Sequence, residues 1–226
     1  MPIPSDFTIK QTQGYLNQLG FNCGVADGVW GKNSQNAMYA LIKSAVDASK
    51  PLGVNKVCWG NKFTPAEIAK LAQVIANLGL PKESINDLMA CMAWETGEAF
   101  TASVRSPVST ATGLIQFMEA TAAGMGTTTA KLAKMTVIEQ LDYVERYFKP
   151  YAKRIQNLGD VYMSIIWPVG IGKPDDYVMW KSGDRQFAPN KGLDLNLDGQ
   201  ILRIECLHKV NNKMVKGFLP QNLRAA

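Results

Sequence analysis

One glutamate stands apart from the other acidic residues of this chain. Glu95 lies in the run Ala93-Trp94-Glu95-Thr96-Gly97-Glu98-Ala99-Phe100, behind an apolar stretch with no basic residue in the ten positions before it. Burial without a counter-charge raises a carboxyl pKa, and a carboxyl still protonated near neutral pH can donate that proton to a glycosidic oxygen. Eighteen residues after Glu95 begins Gly113-Leu114-Ile115-Gln116-Phe117-Met118-Glu119-Ala120-Thr121-Ala122. The side-chain amide of Gln116 can both donate and accept, which suits a substrate N-acetyl group; the alternative is a polar residue that merely ends a helix. Glu98, three residues past Glu95, is the rival acid, with a solvated surface position as its plainer reading. Glu119 is a third carboxylate, and either rival could instead activate a water molecule.

A second constellation lies near the C-terminus. Asp194-Leu195-Asn196-Leu197-Asp198-Gly199-Gln200-Ile201-Leu202-Arg203-Ile204-Glu205 matches a twelve-residue calcium loop throughout. Oxygen ligands fall at positions 1, 3 and 5 (Asp194, Asn196, Asp198), Gly199 is at position 6, Gln200 at 7, an apolar residue at 8 and Glu205 at 12. Against a cation, there is no second copy for the loop to pair with and no clear helix leading into Asp194. Its Asp and Asn side chains could equally bond their own backbone.

The elements that must position these groups are helices. Ile9, Tyr15, Leu16 and Leu19 have helical spacing up to Gly20, and a turn-rich stretch through Asp27-Gly28-Val29-Trp30-Gly31 leads to a second helix from about Ser34. Residues 49–62, with Pro51, Gly53 and Gly60, read as a linker or a strapped loop. Thr64-Pro65-Ala66-Glu67 is a capping box with proline at the first helical position. Ser84 is expected to cap the helix that delivers Glu95 at its C-terminal end, where the negative pole of the helix dipole raises the carboxyl pKa further. Thr136 and Glu139 form another capping box, opening a helix that runs through Phe148 with an interruption at Pro150. The stretch from Asp160 to Trp167 is apolar and ends at Pro168; no alternating run is long enough for more than short strands.

Composition bounds the function. With 226 residues, 46% of them apolar, the chain can bury one sizeable core plus a small module. A net charge of +5 and a pI near 9.0 favour an anionic partner, but scattered basic residues argue against a nucleic-acid groove. No stretch approaches eighteen apolar residues, so no membrane insertion is expected. The segment Met1-Pro2-Ile3-Pro4-Ser5-Asp6 has no features of a secretory signal, so synthesis in a cytoplasm is expected. Cys23, Cys58, Cys91 and Cys206 are widely spaced and are expected to be free, buried thiols. His208 is the only histidine, too few for the zinc site of an amidase or metallopeptidase.

Two segments resemble known families. Gln13, Leu16, Leu19-Gly20-Phe21, Gly24, Asp27-Gly28-Val29-Trp30-Gly31, Ser34 and Ala37 are similar to the peptidoglycan-binding domain, a three-helix module of wall hydrolases. Asp27 and Trp30 are its candidate binding residues, although turn geometry and packing explain them equally. Residues 64–180 resemble the catalytic domain shared by soluble lytic transglycosylases and goose-type lysozymes, in the form found in phage endolysins. The family's Glu-Ser stands here as Glu95-Thr96, its Gly-Leu-Met-Gln as Gly113-Leu114-Ile115-Gln116, and Thr121-Ala122 follows. The family's Ala-Tyr-Asn-Ala-Gly aligns on Ile166-Trp167-Pro168-Val169-Gly170, so Trp167 replaces the tyrosine that normally bonds the catalytic glutamate. Tyr162 or Tyr147 is left to supply that hydroxyl, and with Trp167 either could stack on sugar.

The resemblance implies a mainly α protein: a peptidoglycan-binding module at 1–48, a linker at 49–62 and a lysozyme-like catalytic domain at 63–226. It implies cleavage of the MurNAc–GlcNAc β-1,4 bond by a single glutamate, leaving a 1,6-anhydro product. Gln116, Gly113, Tyr147, Tyr162 and Trp167 would hold the glycan. No cofactor is required; the 194–205 loop, read separately from its own residues, could hold a structural calcium. The expected partner is the glycan strand, the expected state a monomer, and the place of action the bacterial wall. The alternatives are a water-using lysozyme and a non-catalytic wall-binding or virion structural protein.

Overall fold

The computed structural model describes residues 9–44 and 56–225. Helix α1 (Ile9–Gln18) and helix α2 (Lys32–Ser44) form the N-terminal hairpin, with Leu16, Met38 and Leu41 fully buried. The turn between them is organised by one side chain, the buried amide of Gln13. Its Nε2 donates to Asp27 Oδ1 (3.0 Å), Val29 O (2.9 Å) and Ser34 Oγ (3.0 Å), and its Oε1 accepts from Gly28 N (2.8 Å). Gly28 has φ +90°, a left-handed conformation that glycine adopts without strain. Two helices are seen where a three-helix module was expected; residues 1–8 and 45–55 lie outside the described residues.

The expected linker is partly core. Strand β1 (Lys56–Val57) is followed by Cys58 and Trp59, both buried, and the Trp59 indole donates to Lys213 O at 2.8 Å. Large apolar side chains placed in a loop can only be used by folding that loop inward, so residues 56–62 belong to the main body.

Helix α3 (Pro65–Asn77) begins at the predicted capping box: Glu67 N donates to Thr64 Oγ1 (3.3 Å) and Thr64 N to Glu67 Oε2 (2.7 Å). Helix α4 (Ser84–Glu95) carries almost nothing but buried side chains from Ser84 to Ala93. Its N-cap position is Glu83 rather than Ser84, which is already the first helical residue. Two short helices, α5 (Glu119–Gly124) and α6 (Thr129–Leu132), lead to α7 (Val137–Phe148), which opens on the predicted Thr136–Glu139 box. Helix α7 does not continue past Pro150; a 3₁₀ turn intervenes before α8 (Leu158–Ile166).

The rest is a short strand β2 (Val178–Lys181), a single-turn helix α9 (Phe187–Asn190), strand β3 (Gln200–Leu202), the long helix α10 (Arg203–Gly217) and strand β4 (Arg224–Ala225). Strand β4 pairs antiparallel with β1, and β3 with β2, with a bulge between Val178 and Trp180. Helix α10 packs along α4 and also against α1, where Thr12 Oγ1 donates to Asn212 Oδ1 at 2.6 Å in a buried contact. The N-terminal hairpin therefore rests on the main body rather than standing off it. No helix among the described residues is long and apolar enough to cross a membrane.

A buried ion pair fixes the start of α10. Arg203 Nη2 donates to Asp160 Oδ1 (3.1 Å), Nη1 to Asp175 Oδ1 (2.8 Å) and Nε to Gly170 O (3.2 Å). Asp160 also accepts from Gly172 N and Gln156 N. Each charge in this buried site is met by a partner or a backbone dipole, which such burial demands.

Candidate active site

A cleft of about 570 Å³ opens where α4, α8 and α10 meet. Trp94 and Glu95 at the end of α4, Ile115 and Gln116 in the following loop, Tyr162 and Ile166 on α8, Leu193 and Lys209 line it. Among the described residues that line the cleft, Glu95 is the sole carboxylate.

Helix α4 stops at Glu95 for a local reason. Gly97 N donates to Trp94 O (3.2 Å) and Glu98 N to Ala93 O (2.8 Å), with Gly97 at φ +58°, so a glycine-terminated Schellman motif turns the chain away. Thr96 locks the turn: its hydroxyl donates to Met92 O (2.7 Å) and accepts from Phe100 N (3.1 Å). Glu95 is left half-buried, with no hydrogen bond from its carboxyl to a described residue. Burial pushes its pKa up to about 8, so the protonated form dominates at neutral pH.

The rival carboxylates are engaged elsewhere. Glu98 is ion-paired to Lys213 (2.8 Å) and Lys216 (2.7 Å), and although burial pushes its pKa upward, the hydrogen bonds from these lysines hold it below the ordinary glutamate value. Glu119 accepts from the Thr129 hydroxyl and from Thr129 N (3.1 Å), which keeps it ionised as a cap on α6. Neither lines the cleft.

The glycine motif divides into a structural part and a cleft part. Gly113 is buried at φ +83°, its N–H donates to Val104 O (2.7 Å), and a Cβ there would fall 2.3 Å from Gln140 Oε1. It packs against Gln140 and does not line the cleft, where it was expected to touch the glycan. Gln140 is itself satisfied, accepting from Leu114 N (2.7 Å) and donating to Ala102 O and Leu132 O. Gln116 does reach the cleft. It has φ +53°, an uncommon conformation for a residue with a side chain, and its Nε2 donates to Gly113 O at 2.9 Å. Its amide oxygen accepts from no described residue and is the end open to a ligand.

Of the three aromatic candidates, only Tyr162 lines the cleft. Burial first, and then the charge of Glu95, push its phenol well above the ordinary tyrosine value, so it is a neutral hydroxyl beside the acid. Tyr147 instead donates to Ser164 O (2.7 Å) and packs among Phe117, Phe148 and Tyr151. Trp167 ends α8 with its ring edge-on to Trp180 at 5.8 Å. Tyr147 and Trp167 do not line the cleft; they pack against the flank and the end of α8. Trp94 is the aromatic that the sequence reading missed. Its adjacency to Glu95 was the available signal, and Lys209 Nζ lies 5.6 Å from its ring centre. Lys209 and the 189–193 wall had no local signal.

In the N-terminal hairpin, Asp27 accepts from Val29 N (2.8 Å) as well as Gln13, while Trp30 Nε1 donates to Gln35 Oε1 (2.9 Å). Asp27 also borders a 290 Å³ pocket that Trp30 does not touch. In the 194–205 loop, Asp194 Oδ2 accepts from Gly199 N, Asp198 Oδ1 from Gln200 N, and Glu205 from Leu195 N and Leu202 N. No three acidic, cysteine or histidine side chains among the described residues already converge as a metal site. The four cysteines are free and buried.

Comparison of the chain with models of known protein families finds no match, and comparison with curated proteins finds none.

Proposed function

We propose that this protein cleaves the MurNAc–GlcNAc β-1,4 glycosidic bond of peptidoglycan as a lytic transglycosylase, with Glu95 as its one acid and base. The observation that carries the reading is a single carboxyl, held protonated at neutral pH by burial, in a cleft lined by no second one among the described residues. Most glycosidases divide the work between two carboxylates. With Glu98 and Glu119 tied into lysine and threonine contacts, a route that needs only one fits this cleft better.

In that route Glu95 donates its proton to the glycosidic oxygen as the C1–O bond breaks, and the GlcNAc side leaves with a free hydroxyl. The neighbouring N-acetyl oxygen stabilises the positive charge at C1. The Glu95 carboxylate then takes the proton of the 6-hydroxyl, and O6 closes on C1 to give 1,6-anhydroMurNAc. The acid is regenerated and no water is consumed. Gln116 supplies an amide for the N-acetyl group, Tyr162 a neutral hydroxyl beside Glu95, and Trp94 an apolar face for a sugar ring. Resemblance assigns the N-terminal hairpin as the wall-docking part and a phage endolysin as the setting.

The test is digestion of purified sacculi by wild type and by Glu95→Gln, with the released sugars identified by mass. Anhydro ends from wild type alone support the proposal. Reducing MurNAc ends would make the enzyme a water-using lysozyme, and no release by wild type would favour a binding or structural role.

A further inference from the structure

We propose that residues 194–205 bind a calcium ion, and that the ion braces the wall of the cleft formed by residues 189–193 and α10. The inference stands apart from the glycosidase reading, because it concerns a different cluster of side chains.

One buried atom points to a ligand. Asp194 is 6% exposed, and its Oδ1 is fully buried with no hydrogen-bond partner. Its Oδ2 accepts from Gly199 N across the loop, so the carboxylate faces inward. A carboxylate oxygen removed from water without a partner is costly, and a cation supplies what is missing. Asp194 occupies the first ligand position of the twelve-residue pattern, the point from which the chain wraps the ion.

Tertiary structure also removes both objections raised by the sequence. Calcium loops of this kind usually pair with a second copy through a short strand; here β3 inside the loop pairs with β2, with Ile201 opposite Trp180. A helical segment also leads into the loop, since α9 and the 3₁₀ turn Lys191–Leu193 run directly to Asp194. On the far side α10 begins at Arg203, the tenth loop position, held by Asp160 and Asp175. The loop is therefore flanked by helix on both sides and anchored by a strand.

The charges are arranged for a divalent ion that takes oxygen ligands. Asp194, Asn196 and Asp198 offer side-chain oxygens, Gln200 its main-chain carbonyl, and Glu205 two more. Glu205 now accepts from the N–H groups of Leu195 (2.9 Å) and Leu202 (2.8 Å). Binding turns this carboxylate from those groups onto the ion, tying the first turn of α10 to Asp194. The preceding residues Pro189, Asn190, Gly192 and Leu193 line the cleft, as does Lys209 two turns into α10, so this linkage stiffens one wall.

The experiment is isothermal calorimetry and thermal melting of the full chain after chelator treatment, titrated with calcium chloride at constant ionic strength. Wild type is expected to release or absorb heat with one site per chain, and to melt about 5–10 °C higher at calcium a hundredfold above the dissociation constant. Asp198 is exposed and remote from the core, so Asp198→Asn keeps the calcium-free melting point while weakening binding about tenfold or more. No heat and no melting shift in wild type overturns the proposal, as does an undiminished calcium response in Asp198→Asn.

Discussion

The acid at the end of α4 makes the sharpest prediction, because its titration and its chemistry must coincide. A glutamate of ordinary pKa 4.5 is protonated in only about one molecule in 300 at pH 7, whereas one at about 8 is protonated in about nine of ten. The difference of about 3.5 units corresponds to about 5 kcal/mol between the two protonation states. Burial accounts for it, and the position at a helix C-terminus adds in the same direction. The proton donor is therefore present below the folded-state pKa and lost above it. Cleavage of soluble glycan oligomers should hold nearly level from pH 6 to 7, halve near pH 8 and then fall about tenfold per unit, while the melting temperature shows the fold intact to pH 9.5. Glu95→Gln should lower the rate about 10²–10⁴-fold at pH 6 to 7, since a positioned acid contributes that much, and the gap to wild type should narrow as pH climbs past 8. A wild-type rate that rises between pH 7 and 9.5, or a Glu95→Gln enzyme within a few-fold of wild type at pH 6 to 7, would refute the assignment.

Other outcomes follow from the same contacts. Glu98→Gln should leave the pH profile of cleavage unchanged while lowering stability by about 1–3 kcal/mol in urea unfolding, because it strips the charge facing Lys213 and Lys216; a collapse of kcat at full stability would make Glu98 the acid instead. Asp87 is buried on α4 with its Oδ1 unpartnered, and burial raises its pKa from 3.8 to about 7. A raised acid pKa adds stability below about pH 4 that fades as pH climbs through 7, so Asp87→Asn should match wild type at pH 4 and exceed it by about 2–4 kcal/mol at pH 8. A difference independent of pH would contradict that burial cost. Gly113→Ala should destabilise by about 2 kcal/mol or more, since the residue needs φ +83° and its methyl group would press on Gln140; unfolding at the wild-type urea midpoint would show that the loop can yield.

Local pattern carried much of the architecture. The Thr64–Glu67 and Thr136–Glu139 boxes start α3 and α7 where their spacing requires, because a cap is a contract between residues three apart. Glu95 falls at the end of its helix because Gly97 supplies the left-handed turn two residues on, again a local matter. The twelve-residue pattern at 194–205 was legible for the same reason: all of its positions are consecutive in the chain.

What the tertiary structure alone decided involves partners far apart in the chain. Which of Glu95, Glu98 and Glu119 lines the cleft depended on distant partners: Glu98 meets Lys213 and Lys216 across more than a hundred residues, and Glu119 turns to Thr129. Gly113 became a packing residue only because Gln140 closes over it, and Trp59 left the linker only because α10 offers it a carbonyl. The aromatic set changed likewise: Tyr147 and Trp167 turned to the core and Trp94 took their place in the cleft, since a side chain's helical face is set by its own helix but what lies opposite is set by another. The sequence by itself determined where α3 and α7 start, where α4 stops and which carboxyl ends that apolar helix, because those are interactions over three to five residues; the long helix α10 carried no such signal. The long-range pairing of α4 with α10 decided that, among the described residues, this carboxyl lines its cleft without another, because burial and counter-charge are properties of assembled elements.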